Sequence, residues 1–178
     1  MNKTLLSVIA GVATLAASMT VNAETYEIDP THTYPYFSVS HLGFSTLRGR
    51  FNTTSGTITM DKAKGTGSVE IEVDVSSIDT AHAKRDEHLR GPDFFNATEF
   101  PKMTYKSTKV TINKDDSAVV EGNLTIMGVT KPVKLNVEKI SCGVHPFNKK
   151  DVCGFDATAT IKRSDFGMKY GLPAIGDE

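Results

Sequence analysis

Val69-Glu70-Ile71-Glu72-Val73-Asp74-Val75 is the stretch that decides the fold. Side chains of an extended chain point alternately to opposite faces, so the valines and Ile71 fall on one side and the carboxylates on the other. One dry and one wet face is what a half-solvated antiparallel sheet requires. The period recurs elsewhere. Gly122, Leu124 and Ile126 alternate with Glu121, Asn123 and Thr125, and Val133, Leu135 and Val137 alternate with Lys134, Asn136 and Glu138. Phe155, Ala157, Ala159 and Ile161 alternate with Asp156, Thr158, Thr160 and Lys162.

Fainter alternations fill the rest. Phe37, Val39 and His41 share a face with Pro35, whose ring suits a strand edge or start. Gly56, Ile58 and Met60 share another, as do Met103 and Tyr105. Turn residues cluster at 61–67, 113–117 and 128–132. The expected fold is therefore all-β, about eight strands spaced as in an up-and-down barrel or a sandwich. One segment breaks the rhythm: residues 80–90 are good helix formers, with Asp79 or Thr80 as cap and Gly91-Pro92 as stop. Phe94, Phe95 and Phe100 follow it and are expected to cap one end of the barrel. Small inward residues (Thr54, Gly56, Gly122, Ala157, Ala159) beside Phe37, Phe155 and Ile161 hint at an apolar cavity, since a barrel of about eight strands either fills itself or holds one small ligand.

The beginning of the chain has the three parts of a secretory leader: Lys3, an uncharged apolar run over residues 5–17, and Val21-Asn22-Ala23 before a polar start. The run is shorter than the roughly 20 apolar residues a membrane-spanning helix needs. Residues 1–23 are therefore expected to be a cleaved signal peptide and residues 24–178 one exported domain in the periplasm, with no integral membrane segment. Lysine plus arginine number 20 against 21 acids, for a formal net charge of −1. Charges alternate in sign, and nothing resembles the basic stripe of a nucleic-acid binder. Cys142 and Cys153 are the only cysteines, and in an oxidising compartment they are expected to form a structural disulfide.

Signs of catalysis are absent from the motifs: no G-x-S-x-G elbow, no H-E-x-x-H, no free thiol once the disulfide forms. His82 and His88 lie on different faces of the expected helix, a poor chelate, and no metal site is expected. The charged run from His82 to Arg90 reads either as a polar mouth for a head group or as an exposed ion-paired helix. Arg48 and Arg50 read either as phosphate forks or as surface arginines at a turn.

Several ordered blocks resemble the YceI-like family: His41-Leu42-Gly43-Phe44, Gly49-x-Phe51 and Gly56-Thr57-Ile58 in the opening strands; Val75-Ser76-Ser77-Ile78-Asp79-Thr80, His82, Arg85-Asp86, His88-Leu89-Arg90, Asp93-Phe94-Phe95 and Phe100-Pro101 in the middle; the run from Gly122 to Val133; then Gly154-Phe155 and Ser164-Asp165-Phe166-Gly167-Met168. The resemblance implies a lipocalin-like antiparallel β-barrel with a long apolar lumen, binding an isoprenoid lipid such as a quinone or a polyprenyl phosphate, with no cofactor besides that ligand. Strand parity selects Phe37, Val39, Ile58, Met60, Val73, Met103, Tyr105, Leu124, Ile126, Leu135, Phe155 and Ile161 as lumen candidates. His41, Arg48, Arg85 and His88 are the head-group candidates. The family pattern continues with another strand past Glu178, so a closing strand beyond the given chain is the favoured expectation, beside a barrel that is open or completed by another chain. Carriage or storage of a lipid is the leading expectation. A lipid-modifying enzyme, or a stress or interaction protein with a filled core, stands beside it, and a homodimer stays open.

Overall fold

Alternation becomes register in the computed structural model, which describes residues 23–178. The expected leader lies outside the described residues apart from Ala23. Twelve strands form: β1 (Glu24–Glu27), β2 (Tyr36–His41), β3 (Ser45–Phe51), β4 (Thr54–Asp61), β5 (Thr66–Asp74), β6 (Ile78–Asp79), β7 (Lys102–Ile112), β8 (Ala118–Ile126), β9 (Val129–Val137), β10 (Ser141–Val144), β11 (Asp151–Gly154) and β12 (Ala157–Thr158). The only α-helix among the described residues, α1, spans Ala83–Arg90. Seven strands make the main antiparallel sheet, in the order β1-β4-β5-β7-β8-β9-β12. β2, β3 and β6 form a second sheet, and β10 and β11 a separate hairpin.

The expected antiparallel, barrel-like sheet with one short helix is what forms. The main sheet curls into a half-barrel whose outer strands, β1 and β12, are not hydrogen-bonded to each other. Apolar side chains meet across the concave face by direct pairing: Ile58 opposite Val69, Ile71 opposite Tyr105, Val73 opposite Met103, Tyr105 opposite Leu124, and Ile126 opposite Val129. They bury into two clusters. One centres on Ile58, Met60, Tyr105, Val110, Val120 and Val137. The other centres on Phe51, Val73, Val75, Met103, Ile126 and Phe166. Ile71, Leu124 and Val133 touch both, so the core is continuous along the trough. The convex face carries the matching charges, with Lys102 Nζ 2.8 Å from Glu72 and Lys106 Nζ 2.5 Å from Glu70. Such exposed pairs add little stability but keep that face wet.

Side-chain capping moves several boundaries. β5 stops at Asp74, one residue before the alternation does, because Asp74 Oδ1 accepts from the Ser76 amide at 2.8 Å and starts a 3-10 turn; Val75 remains buried. The helix begins later than expected. Asp79 turns its carboxylate on the Ala81 amide (2.8 Å), Ala81 takes a left-handed φ of 59°, and His82 becomes the cap, its Nδ1 accepting from the Arg85 amide at 3.3 Å. The turn placed at 128–132 tightens to Met127-Gly128, both at positive φ (50° and 72°), and Pro132 lies inside β9. That proline is tolerated because β12 pairs with β9 only at Asn136 and Val137, leaving the rest of β9 an edge. The strand expected over 155–161 shrinks to Ala157–Thr158, and Phe155 is 39% exposed.

Candidate functional site

The concave face is the candidate site, and most of its expected residues are where parity puts them. Ile58, Met60, Val73, Met103, Tyr105 and Ile126 are buried on it, and Leu124 and Leu135 are partly buried beside them. Phe37 and Val39 lie on the inward parity of β2, in the second sheet. Phe37 stacks on Phe51 (centroids 5.9 Å) and Phe51 on Phe95 (5.4 Å), so this sheet and the loop after α1 cap one end of the trough. Ile161 packs into the same end from an irregular segment.

Small inward residues do not leave a long lumen. Tyr105 lies over Gly122, where a β-carbon would sit 2.6 Å from its ring. The hydroxyl reaches past the glycine to the carbonyl oxygens of Val120 and Val133, 3.0 Å from each. At Gly56 (φ 146°) a side chain would run into the backbone of Glu70 across the ladder. The remaining cavity on this face is about 40 Å³, bounded by residues including Ile58, Met60, Val110, Val120, Ile140 and Phe155. Sites for organic ligands usually occupy roughly 300–1,000 Å³. The trough is filled by its own side chains.

The β10–β11 hairpin forms a flap beside the β4 side of the trough. Ile140 and Phe155, at the roots of the β10–β11 hairpin, line the cavity together with Ile58 and Met60 of β4. Cys142 and Cys153 face each other in the hairpin register and are joined by the expected disulfide. The Tyr26 phenol of β1 is raised to about 12 by its hydrogen bond to Glu24, then by burial and by the charges of Glu24 and Asp151.

The four head-group candidates do not converge. His41 ends β2 and bridges to Ile175, while Arg48 points outward opposite Ser38. Arg85 is spent on the chain itself: Nε donates to Thr80 Oγ1 at 2.8 Å and Nη2 to the Thr80 carbonyl at 2.7 Å. Asp86 completes that clip by accepting from the Thr80 amide at 2.8 Å. His88 pairs with Asp93 (3.0 Å) and stands edge-on to Phe94 and Tyr170. No group of three or more His, Cys, Asp or Glu able to hold a metal forms among the described residues.

Two features escaped sequence reasoning. Arg163 gathers four backbone carbonyls of the C-terminal segment, and burial holds its pKa below the ordinary arginine value. Thr54 is inward as expected, at 1% exposed, but its Oγ1, which the sequence does not flag, has no hydrogen-bond partner among the described residues. A buried hydroxyl without a partner costs about 1–3 kcal/mol, so Thr54→Val is expected to stabilise the empty protein by about 1 kcal/mol, read as a higher midpoint in urea. Unchanged or lower stability would mean that the hydroxyl is satisfied in solution.

Tyr105 makes the trough pH-sensitive at the alkaline end. Burial, with the Glu121 charge second, pushes its phenol up to about 12. The folded chain therefore holds this proton more tightly than the unfolded chain, whose tyrosines titrate near 10.0. That contribution to stability is complete below pH 10 and is lost as pH rises through 12. Chemical denaturation across this range is expected to show a steeper loss in the native protein than in Tyr105→Phe; equal slopes would contradict the burial argument.

A curled antiparallel sheet with an apolar concave face, a capped end and a flap beside it defines a lipocalin-like scaffold. The chain belongs to the YceI-like domain family, which it matches over residues 26–178. It is 40% identical over 181 residues to a UPF0312 protein of Pseudomonas aeruginosa, covering 100% of this chain and 93% of that one. It is similar in structure to BcnA of Burkholderia cenocepacia (TM-score 0.71, 26% identity, covering 81% of this chain and 89% of that one). It also shares its fold with a polyisoprenoid binding domain from Saccharophagus degradans (TM-score 0.55, 18% identity, 83% and 82% covered).

Proposed function

We propose that this protein binds a long-chain isoprenoid lipid, a quinone or a polyprenyl phosphate, against the concave face and carries or stores it in the periplasm. The observation that carries the reading is the unbroken apolar trough from Met60 through Ile71 and Leu124 to Ile126, with outer strands that do not pair with each other and a flap beside them. A tail entering there replaces packed side chains, so loading requires the flap roots Ile140 and Phe155 to move aside. Burying apolar tail stabilises the complex by roughly 25 cal/mol per Å² before association costs. An isoprenoid is nearly insoluble, and an aqueous compartment between two membranes needs such a carrier. The shared fold with a polyisoprenoid binding domain points the same way.

The small cavity, about 40 Å³, supports a second reading: a stress or interaction protein whose interior is simply full. Native mass spectrometry of the protein purified from its host, followed by organic extraction, separates the two. A stoichiometric isoprenoid mass is the expected result and names the head group. A clean unliganded mass, with no uptake of added isoprenoids, would leave the second reading standing.

A further inference from the structure

The β2–β3 hairpin ends in a tip that the core does not use. Phe44 is 91% exposed and Leu42 is 49% exposed, at the joint between the strands. Leu42 has a left-handed backbone, φ 57°, next to Gly43 at 73°. Asn or Gly would relax that turn, since branched side chains rarely adopt positive φ. The turn instead presents a leucine to solvent. Tyr36, 72% exposed, stands on the outward face of β2 at the other end of the hairpin, opposite Arg50.

Charge within this hairpin has one sign. Between Asp29 and Asp61 the sequence contains no acidic residue, in a chain that has 21, while it contains His32, His41, Arg48 and Arg50. Arg50 is opposite Asp79 in register and lies over the Tyr34 ring at 4.7 Å. Arg48 has only Ser38 across from it. Of the C-terminal acids nearby, Asp177 keeps its charge while accepting from the Ser164 amide and hydroxyl at 2.9 and 2.7 Å, and Glu178 lies 3.9 Å from Lys162. Behind the tip, the C-terminal segment runs along β2 through Leu42 N to Ala174 O (2.9 Å) and Gly176 N to Ser40 O (2.8 Å). Between them lies an open depression of about 560 Å³, lined by Ser40, Leu42, Gly43, Phe44, Pro173, Ala174 and Gly176, without a charged group.

We propose that this hairpin tip is a docking element that seats the protein on an anionic phospholipid bilayer, with Leu42 and Phe44 entering the interface and Arg48 facing the head groups. Exposed apolar groups flanked by a cation are what such a surface attracts. The proposal rests on the isoprenoid reading, because a cargo that resides in membranes must be taken from one. The other exposed aromatic tip, Phe147 at 89%, sits in a hairpin that contains Asp151 and is followed by Asp156, so its field is mixed.

The test is flotation of the purified protein with vesicles of phosphatidylcholine alone and of phosphatidylcholine with phosphatidylglycerol. Binding is expected to the second and to weaken with added salt. The double variant Leu42→Ser/Phe44→Ser is expected to lose about tenfold or more in partitioning. Arg48→Glu is expected to lose roughly fivefold or more on the anionic vesicles, and Phe147→Ser to lose nothing. All the substituted side chains are exposed, so unchanged melting curves separate docking from folding. No binding by the native protein, full binding by the double variant, or an equal loss in Phe147→Ser would overturn the proposal. Uptake of a water-soluble short-chain isoprenoid quinone, followed by native mass spectrometry without vesicles, keeps the two readings apart. Uptake retained in a double variant that no longer floats supports docking as a step separate from binding. Flotation without uptake by the native protein leaves docking in place and removes the carrier reading.

Discussion

Replacing Gly122 by valine is expected to lower the stability of the fold by about 3 kcal/mol. Intrinsic strand preference would favour the valine, so the sign of the effect comes entirely from what occupies the space. A β-carbon at 122 meets Tyr105 Cζ at 2.6 Å and the carbonyl oxygen of Lys106 at 2.7 Å. The backbone oxygen cannot swing away, and the tyrosine ring can do so only by giving up its hydroxyl contacts with Val120 and Val133. Alanine should cost less, about 1–2 kcal/mol. Urea denaturation of both variants measures the series. A valine variant as stable as the native protein would show that the trough has the spare room its small residues suggest. Lipid uptake measured on the same variants then tells whether Tyr105 must turn aside to admit a tail.

Arg163→Ala is the second large effect, about 3 kcal/mol, and it should be local before it is global. The guanidinium donates from Nε to Gly176 O (2.8 Å), from Nη1 to Met168 O (3.0 Å), and from Nη2 to Tyr170 O (2.9 Å) and Ile175 O (3.2 Å). One planar fork thereby folds residues 168–176 around itself and presents them to β2. Lysine carries the same charge at a single point and cannot reproduce this spread of donors. Arg163→Lys is expected to recover little of the loss. Hydrogen exchange should show the amides of Leu42 and Gly176, which bond to Ala174 and Ser40, opening far sooner than those of β7 and β8. A lysine variant with native protection at these amides would refute the fork argument.

Much of the sheet could be read from the chain because period-two alternation leaves few alternatives when one face must be buried. Val69, Ile71 and Val73, then Leu124 and Ile126, then Val133, Leu135 and Val137 all took the faces their parity assigned. Reading failed where a side chain satisfied the backbone in place of the ladder, as at Asp74, Asp79 and His82. It failed again over 155–161, where alternation persists but β9 offers only Asn136 and Val137 as partners. The candidate site divides the same way. Parity says which side chains point inward but not whether they touch, and Gly122 reads as empty space until Tyr105 is seen lying across it. Arg85 looked available because a sequence displays its charge and not its bonds to Thr80. Arg163 left no signal, since its partners are backbone carbonyls that every residue possesses.

The order of strands in the main sheet also has a kinetic side. β4–β5, β7–β8 and β8–β9 are neighbours in both sequence and space, whereas β1 reaches β4 across the whole β2–β3 hairpin, and β9 reaches β12 across the disulfide-bridged flap. Closing a longer loop costs more chain entropy before any contact is made. The central hairpins therefore zip early, and the two outermost strands arrive last and fray first. A refolding chain passes through a stage in which the trough exists but its sides do not. A water-insoluble tail present at that stage would meet an open surface rather than a filled one, so lipid added during refolding is expected to load faster than lipid added to the folded protein, at the same affinity.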